Sequence, residues 1–213
     1  MIALLLALVV AAPHPRVAIR TDLGAFVIEV DEERAPASAR NFLRYVDAGR
    51  YRGGAFHRTV TTSPDNQHGK AVKIDVVQAG AAPGKDFPPV ALERTRDTGL
   101  THVDGAVSLA RDGPDTATSD FFICVGDQPE LDFGGRRNPD GQGFAAFGRV
   151  VKGMDVVRRI HGAPADGQAL APPVVILDEA PDVGRNFDGH WPFLRREAGG
   201  ISRRGGETSV PAG

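Results

Sequence analysis

The residues of this chain that could do chemistry do not fall into the patterns used by nucleophilic or metal-dependent enzymes. Six histidines, His14, His57, His68, His102, His161 and His190, are scattered, with no i, i+4 pair that would set two imidazoles on one helix face. The one cysteine, Cys124, lies inside an apolar run, where a buried, inert thiol is expected; a lone cysteine excludes an intrachain disulfide and a cysteine-built zinc cluster. No Gly-x-Ser-x-Gly elbow is present. Asp132-Phe133-Gly134 has the letters of a kinase tripeptide without its companion motifs, and Asp132–Gln142 is acidic without the spacing of a calcium loop. What stands out instead is the stretch 105–123, in which apolar runs 105–110 and 121–125 flank a polar segment of Arg, Asp, Gly, Pro and Thr. This pattern predicts a strand, a surface loop and a returning strand. The loop is too polar to bury and too long for a tight hairpin, the profile of a functional loop on a rigid scaffold.

The elements that must hold such a loop are mostly strands. Val17 and Ile19, then Phe26, Ile28 and Val30, alternate around the turn-rich Thr21-Asp22-Leu23-Gly24 and predict a hairpin. Residues 35–49 predict the best helix, with Pro36 in its first turn, Phe42, Tyr45 and Val46 on one face and Gly49 at its end. Further strands are expected up to Val60, over Val72–Gly80, Gly143–Val151 and Pro173–Asp178, and a short helix over Gly153–Ile160. Residues 61–71, 81–104 and Asp127–Gln142 read as loops. Many short strands and two helices in one unit predict a mainly β fold, a closed antiparallel barrel with helices at its ends.

A chain of 213 residues with 41% hydrophobic and 24% charged residues suits one soluble domain plus extensions. Its net charge of −2 offers no field to attract nucleic acid or anionic lipid, and the arginine pairs at 195–196 and 203–204 are diluted by Asp188, Glu197 and Glu207. Ile2–Ala12 is an unbroken apolar run, too short to span a bilayer but suited to the apolar region of a secretory signal peptide, with Ala11 and Ala12 where a peptidase would cut. The expected organisation is therefore a signal peptide or extension at 1–15, a domain at 16–180, and a largely disordered extension at 181–213. The expected location is periplasmic or secreted, or cytoplasmic if the first run is not a signal. After signal removal no lasting membrane insertion is expected, and the protein should be a monomer.

Several pieces, in order, resemble the cyclophilin peptidyl-prolyl isomerases: Asn41-Phe42, Tyr51 and Gly53, Phe56-His57-Arg58, Val77-Gln78 with Gly80, the 105–123 stretch, Leu131-Asp132, Phe147-Gly148-Arg149-Val150 and Gly153-Met154-Asp155-Val156-Val157. The resemblance spans roughly 16–180. It implies an eight-stranded barrel capped by two helices, activity on X-Pro bonds of proline-containing polypeptides, and no cofactor or metal. The alternative it leaves is a peptide-binding protein or chaperone of the same fold with little or no isomerase activity.

Rotation about a peptide bond costs ~18–20 kcal/mol because the nitrogen lone pair is delocalised. Cis and trans X-Pro forms are close in energy yet exchange slowly. A catalyst needs neither nucleophile nor metal; it must favour the twisted state, whose nitrogen regains its lone pair and accepts a hydrogen bond. By the resemblance, Arg58 is the catalytic arginine that donates it, and Gln78 steadies that arginine and contacts the substrate backbone. Phe122, Leu131 and Phe144 form the proline slot, and the backbone of Ala110 and Arg111 pairs with the peptide. Phe56, Asp75, Val76 and Asp120 complete the substrate-contacting positions. The departures are Asp75 for an aromatic residue, Asp120 for glutamine, Arg111 for asparagine, Glu130 for tryptophan and Phe144 for histidine, with 61–71 inserted between Arg58 and Gln78. Asp75 is expected close to Arg58, where a salt bridge would either orient the arginine or reduce its availability to substrate. Together these imply a working but slower or differently selective isomerase that binds cyclosporin-type drugs weakly.

Overall fold

A computed structural model describes residues 14–181, so the expectations for 1–13 and 182–213 lie outside the described residues. Strands β1 (Arg16–Thr21) and β2 (Gly24–Val30) form the expected hairpin, paired from Arg16↔Glu29 to Thr21↔Gly24. Helix α1 (Pro36–Asp47) starts at its proline, and the Glu93 carboxylate accepts hydrogen bonds from the free Ala37 and Ser38 N–H groups at 2.9 and 2.8 Å. There follow β3 (Ala55–Val60), β4 (Val76–Gly80), the four-residue α2 (Thr95–Thr98), β5 (Ala106–Leu109), β6 (Phe121–Cys124), a 3₁₀ turn at Pro129–Leu131, β7 (Ala145–Lys152), α3 (Met154–His161), β8 (Ala165–Asp166) and β9 (Ala169–Pro181).

The sheet runs β1-β2-β7-β5-β6-β4-β3-β9, and an antiparallel β1–β9 pairing closes it into an eight-stranded barrel, with β8 as a short flap on β9. α1 packs against β7 and β9, and α3 against β2, β3 and β4. Helix α2 falls in the 81–104 stretch that reads as loop, β8 is not expected from the sequence, and two strand boundaries differ most from expectation. Strand β4 begins at Val76 rather than Val72, because residues 72–75 close the inserted loop. Strand β9 runs well beyond Pro173–Asp178 in both directions. Pro172 and Pro173 do not end it, since they fall where the β3–β9 register jumps from Phe56↔Val174 to Arg58↔Ala169 and no ladder N–H is needed from them.

Strand alternation divides the apolar residues between two sides of the barrel wall. Phe26, Phe42, Tyr45, Tyr51, Phe56, Phe121 and Phe147 fill the interior; Phe42 meets Phe121 edge-on at 5.4 Å and packs at a tilt on Phe147 at 5.2 Å. On the other side Val60, Ile74, Val76, Ala106, Phe122, Cys124 and Leu131 form a second, smaller cluster, with Ala110 and Phe144 at its edge. That outer cluster is the floor of the candidate site.

Candidate active site

Register alone brings three of the singled-out side chains into a row. Arg58 pairs with Gln78 across β3–β4, and Gln78 with Phe122 across β4–β6, so all three project from the same outer face. Phe56 and Arg58 would share a face in a regular strand. The register shift between them turns Phe56 into the barrel interior and Arg58 outward.

Arg58 lies between two glutamines. Its Nη1 donates to Gln78 Oε1 at 3.0 Å, while Nε and Nη2 both donate to Gln168 Oε1 at 3.0 and 2.7 Å. Gln168 sits in the β8–β9 turn, which is itself tied to β3 by the Thr59 N–H donating to the Gln168 carbonyl at 2.9 Å. Gln78 Nε2 in turn donates to Asp120 Oδ2 at 2.9 Å, and His57 Nε2 lies 3.4 Å from the same oxygen. Burial lowers the Arg58 pKa, yet a guanidinium starts so high that it stays protonated. Its partners are neutral amides, so the charge is oriented without being neutralised.

Beside it lies a cleft of about 470 Å³ whose lining includes Ile74, Val76, Phe122, Leu131 and Phe144. Phe122 is only 4% exposed and meets Phe144 edge-on at 5.3 Å. Behind Phe122 the His102 ring stacks at 5.8 Å and 15°, fixed by Asp132 Oδ1 at 2.7 Å and Ser108 Oγ at 3.0 Å. The far rim is Ala110, Arg111, Asp112, Thr116, Thr118 and Asp120. Tyr51 Oη and Asn41 Nδ2 brace this loop by donating to the carbonyls of Ser119 and Thr118 at 2.9 and 2.6 Å. A fixed cationic donor beside an apolar slot can orient and polarise a bound amide. Cys124 offers no nucleophile there: it is fully buried, and burial pushes its thiol pKa up.

The model of the family described as cyclophilin type peptidyl-prolyl cis-trans isomerase/CLD matches residues 16–179. This chain belongs to the cyclophilin family. It is 37% identical over 151 residues to the peptidyl-prolyl cis-trans isomerase A of Dickeya dadantii, covering 70% of this chain and 73% of that protein. Among solved structures, a cyclophilin type peptidyl-prolyl cis-trans isomerase of Cryptosporidium parvum shares the fold with a TM-score of 0.58 at 21% identity, over 79% of this chain and 97% of that one. The same protein solved in the presence of the dipeptide Ala-Pro gives 0.57 at 20% identity, over 78% and 98%.

Against other cyclophilins, the departures at this cleft acquire specific partners. Asp75 does not meet Arg58: its carboxylate accepts from the Thr62 N–H and hydroxyl at 2.8 and 2.7 Å and lies 3.7 Å from His161 Nε2. Alternation explains this, because Ile74, Val76 and Gln78 line the cleft while residue 75 faces the other way. Phe56 is wholly buried against Phe26 and Phe121, each at 6.0 Å, and is not part of the cleft lining. Glu130 is not part of the lining either; it pairs with Arg136 at 2.8 Å. Arg111 reaches the rim, but its guanidinium is spent on Asp140 and on the Gly143 carbonyl, with the side chain 1% exposed. Lys70, Ile74, Arg137, Asn138 and Pro139 of the cleft lining escaped the sequence, as did Gln168, which clamps Arg58 without being part of that lining. Only Gln168 had a local signal, the Asp166-Gly167 pair that marks a hairpin turn.

Proposed function

We propose that this protein accelerates cis–trans rotation about X-Pro bonds in polypeptides. A proline ring rests on Phe122, Leu131 and Phe144, which hold it still while the preceding carbonyl turns. Arg58 donates to the prolyl nitrogen as its lone pair returns in the twisted state, so the interaction strengthens where the barrier is highest. Gln78 and Gln168 keep the guanidinium at one angle, and no reorganisation is needed at the moment of rotation. The proton stays on Arg58 throughout, and no covalent bond is made or broken.

The observation that carries this reading is the Gln78–Arg58–Gln168 clamp beside an apolar cleft, on a chain of the cyclophilin family. Cis–trans exchange of a proline peptide should fall by about a hundredfold in Arg58→Ala, the usual loss for one preorganised donor, while the melting curve shows the fold intact. Equal rates in the two proteins would remove Arg58 from the mechanism. Peptide binding that survives in both, with no catalysed exchange in either, would leave a binding protein of this fold.

A further inference from the structure

The cleft carries positive charge that its own residues leave unpaired. Its lining includes Arg58, Lys70, Arg111 and Arg137 against Asp112 and Asp120. Arg111 is neutralised by Asp140 at 2.8 Å. Asp120 is turned toward Gln78 and His57, and Asp112 is exposed on the opposite rim. The remaining three cations have no carboxylate within ion-pair distance among the described residues.

Arg137 is the informative member. It leaves the 132–143 loop, and its Nη1 donates to Gln67 Oε1 at 2.9 Å, in the inserted 61–71 loop, and to the Val72 carbonyl at 2.6 Å, just after it. Both acceptors are neutral. Gln67 is 1% exposed and is fixed by donating to the Thr61 and Ile74 carbonyls at 3.1 and 2.8 Å, so one end of the Arg137 guanidinium is anchored on a buried group. Arg58 and Arg137 line the same cleft, and burial, and then repulsion from Arg58, lower the Arg137 pKa. Lys70, exposed on the same inserted loop, adds a third cation to this rim. Holding like charges together on neutral amides is unfavourable in the empty cleft and is relieved when an anion enters.

We infer that Arg137, with Lys70, selects proline peptides that carry a carboxylate side chain next to the proline. This rests on the isomerase reading only for the fate of the bound peptide; the selection itself is a binding property. Arg137 is the better anchor than Arg58, because a carboxylate on Arg137 leaves Arg58 free for the prolyl nitrogen.

The test is a peptide series with Glu, Gln or Lys placed just before or just after one proline, measured for both dissociation constant and catalysed exchange. At one of the two positions the Glu peptide should bind about fivefold tighter than the Gln peptide, the worth of one partly exposed ion pair, and the Lys peptide more weakly than either. The Glu-to-Gln ratio should shrink toward one in about 1 M salt. It should vanish in Arg137→Gln combined with Lys70→Gln, and persist in Arg137→Lys, which separates lost charge from a loosened loop. Equal affinities across the series in the unaltered protein would overturn the inference, as would a ratio that survives the double substitution. Tighter binding with slower exchange of the Glu peptide would also overturn it, by showing the carboxylate seated on Arg58. If no peptide is exchanged but the Glu preference holds, the isomerase reading fails and the anionic selection stands.

Discussion

Gln168 Oε1 accepts two hydrogen bonds from Arg58, at 3.0 Å from Nε and 2.7 Å from Nη2, across 110 residues of chain. The amide sits in a two-strand flap whose position depends on the irregular β3–β9 register, the same irregularity that turns Arg58 outward. One backbone feature therefore delivers both the charged donor and the group that aims it.

Gln168→Ala should lower kcat about tenfold or more with a smaller change in KM, because the donor loses its angle rather than the slot its shape. Gln168→Glu should be slower still. Its carboxylate would pair with Arg58 and compete with the weak acceptor that the prolyl nitrogen presents. Steady-state exchange rates of the three proteins decide this; a Glu variant as fast as the parent would mean that Arg58 orientation and charge do not limit the reaction.

Gly80 makes room for the other end of the clamp. A Cβ there would lie 2.1 Å from Asp120 Oδ1, the residue that receives Gln78 Nε2. Gly80→Ala should push Asp120 aside, free Gln78 and lower exchange activity, with a stability loss of about 1–3 kcal/mol from overpacking. Combining it with Asp120→Ala should recover stability without recovering activity, measured by denaturant titration and exchange rate on the same samples.

Arg111 acts as a strut between the β5 end and the 132–143 loop. Arg111→Asn removes the forked contact to Asp140 and both donations to the Gly143 carbonyl. Backbone amides of 132–144 should then exchange hydrogen faster, and peptide affinity should drop because Phe144 and Arg137 ride on that loop. Arg111 hydrogen bonding holds the Asp140 pKa below the ordinary aspartate value. A depressed carboxylate contributes stability above its unfolded pKa and loses it as pH falls through the folded value. The same amides should therefore loosen in the parent protein on acidification below the aspartate range, and Arg111→Asn should show little further change.

Glu179 predicts the opposite pH trend. It is 6% exposed, neither carboxylate oxygen makes a hydrogen bond of good geometry among the described residues, and burial raises its pKa more than the backbone N–H groups of Arg52 and Tyr51 and the Arg52 charge, lying nearby, lower it. With the folded value above the unfolded one, the unfolded chain loses its proton first as pH rises, so this group costs stability between the two values and above them. Glu179→Gln should gain on the order of 1 kcal/mol at neutral pH and nothing below about pH 4. Melting curves at the two pH values check the sign.

Much of this architecture was legible because it follows local alternation. Phe121 and Ile123 point into the barrel and Phe122 and Cys124 out of it, as a period of two requires, and the strand–loop–strand form of 105–125 stands as expected. The resemblance supplied Arg58 and Gln78, which the register sets opposite each other across β3–β4. It misled at Asp75, since matching a position does not match a direction when the strand begins one residue later. Gln168, Arg137 and Lys70 were illegible for a different reason. They come from a flap, a loop and an insertion that meet only after the barrel closes, and a lone polar residue in a turn carries no sign of its distant partner.

The ring behind the slot gives the last prediction. With Asp132 Oδ1 accepting from the His102 backbone N–H at 3.1 Å and facing Nδ1 at 2.7 Å, the tautomer that fits both ring contacts has its proton on Nδ1 and leaves Nε2 to accept from the Ser108 hydroxyl. Ser108 is opposite Phe122 in the β5–β6 ladder, so strand pairing and ring stacking place His102 and Ser108 against the same aromatic floor. Ser108→Ala leaves a buried imidazole nitrogen without a donor, which should cost about 1–3 kcal/mol of stability. If the relay also steadies Phe122, KM for a proline peptide should rise while kcat changes little. Ser108→Thr keeps the hydroxyl but adds a methyl to a site that is 0% exposed, so it should disturb the floor even with the hydrogen bond retained. A Ser108→Ala protein that loses stability with KM unchanged would reduce Ser108–His102–Asp132 to a brace for the fold.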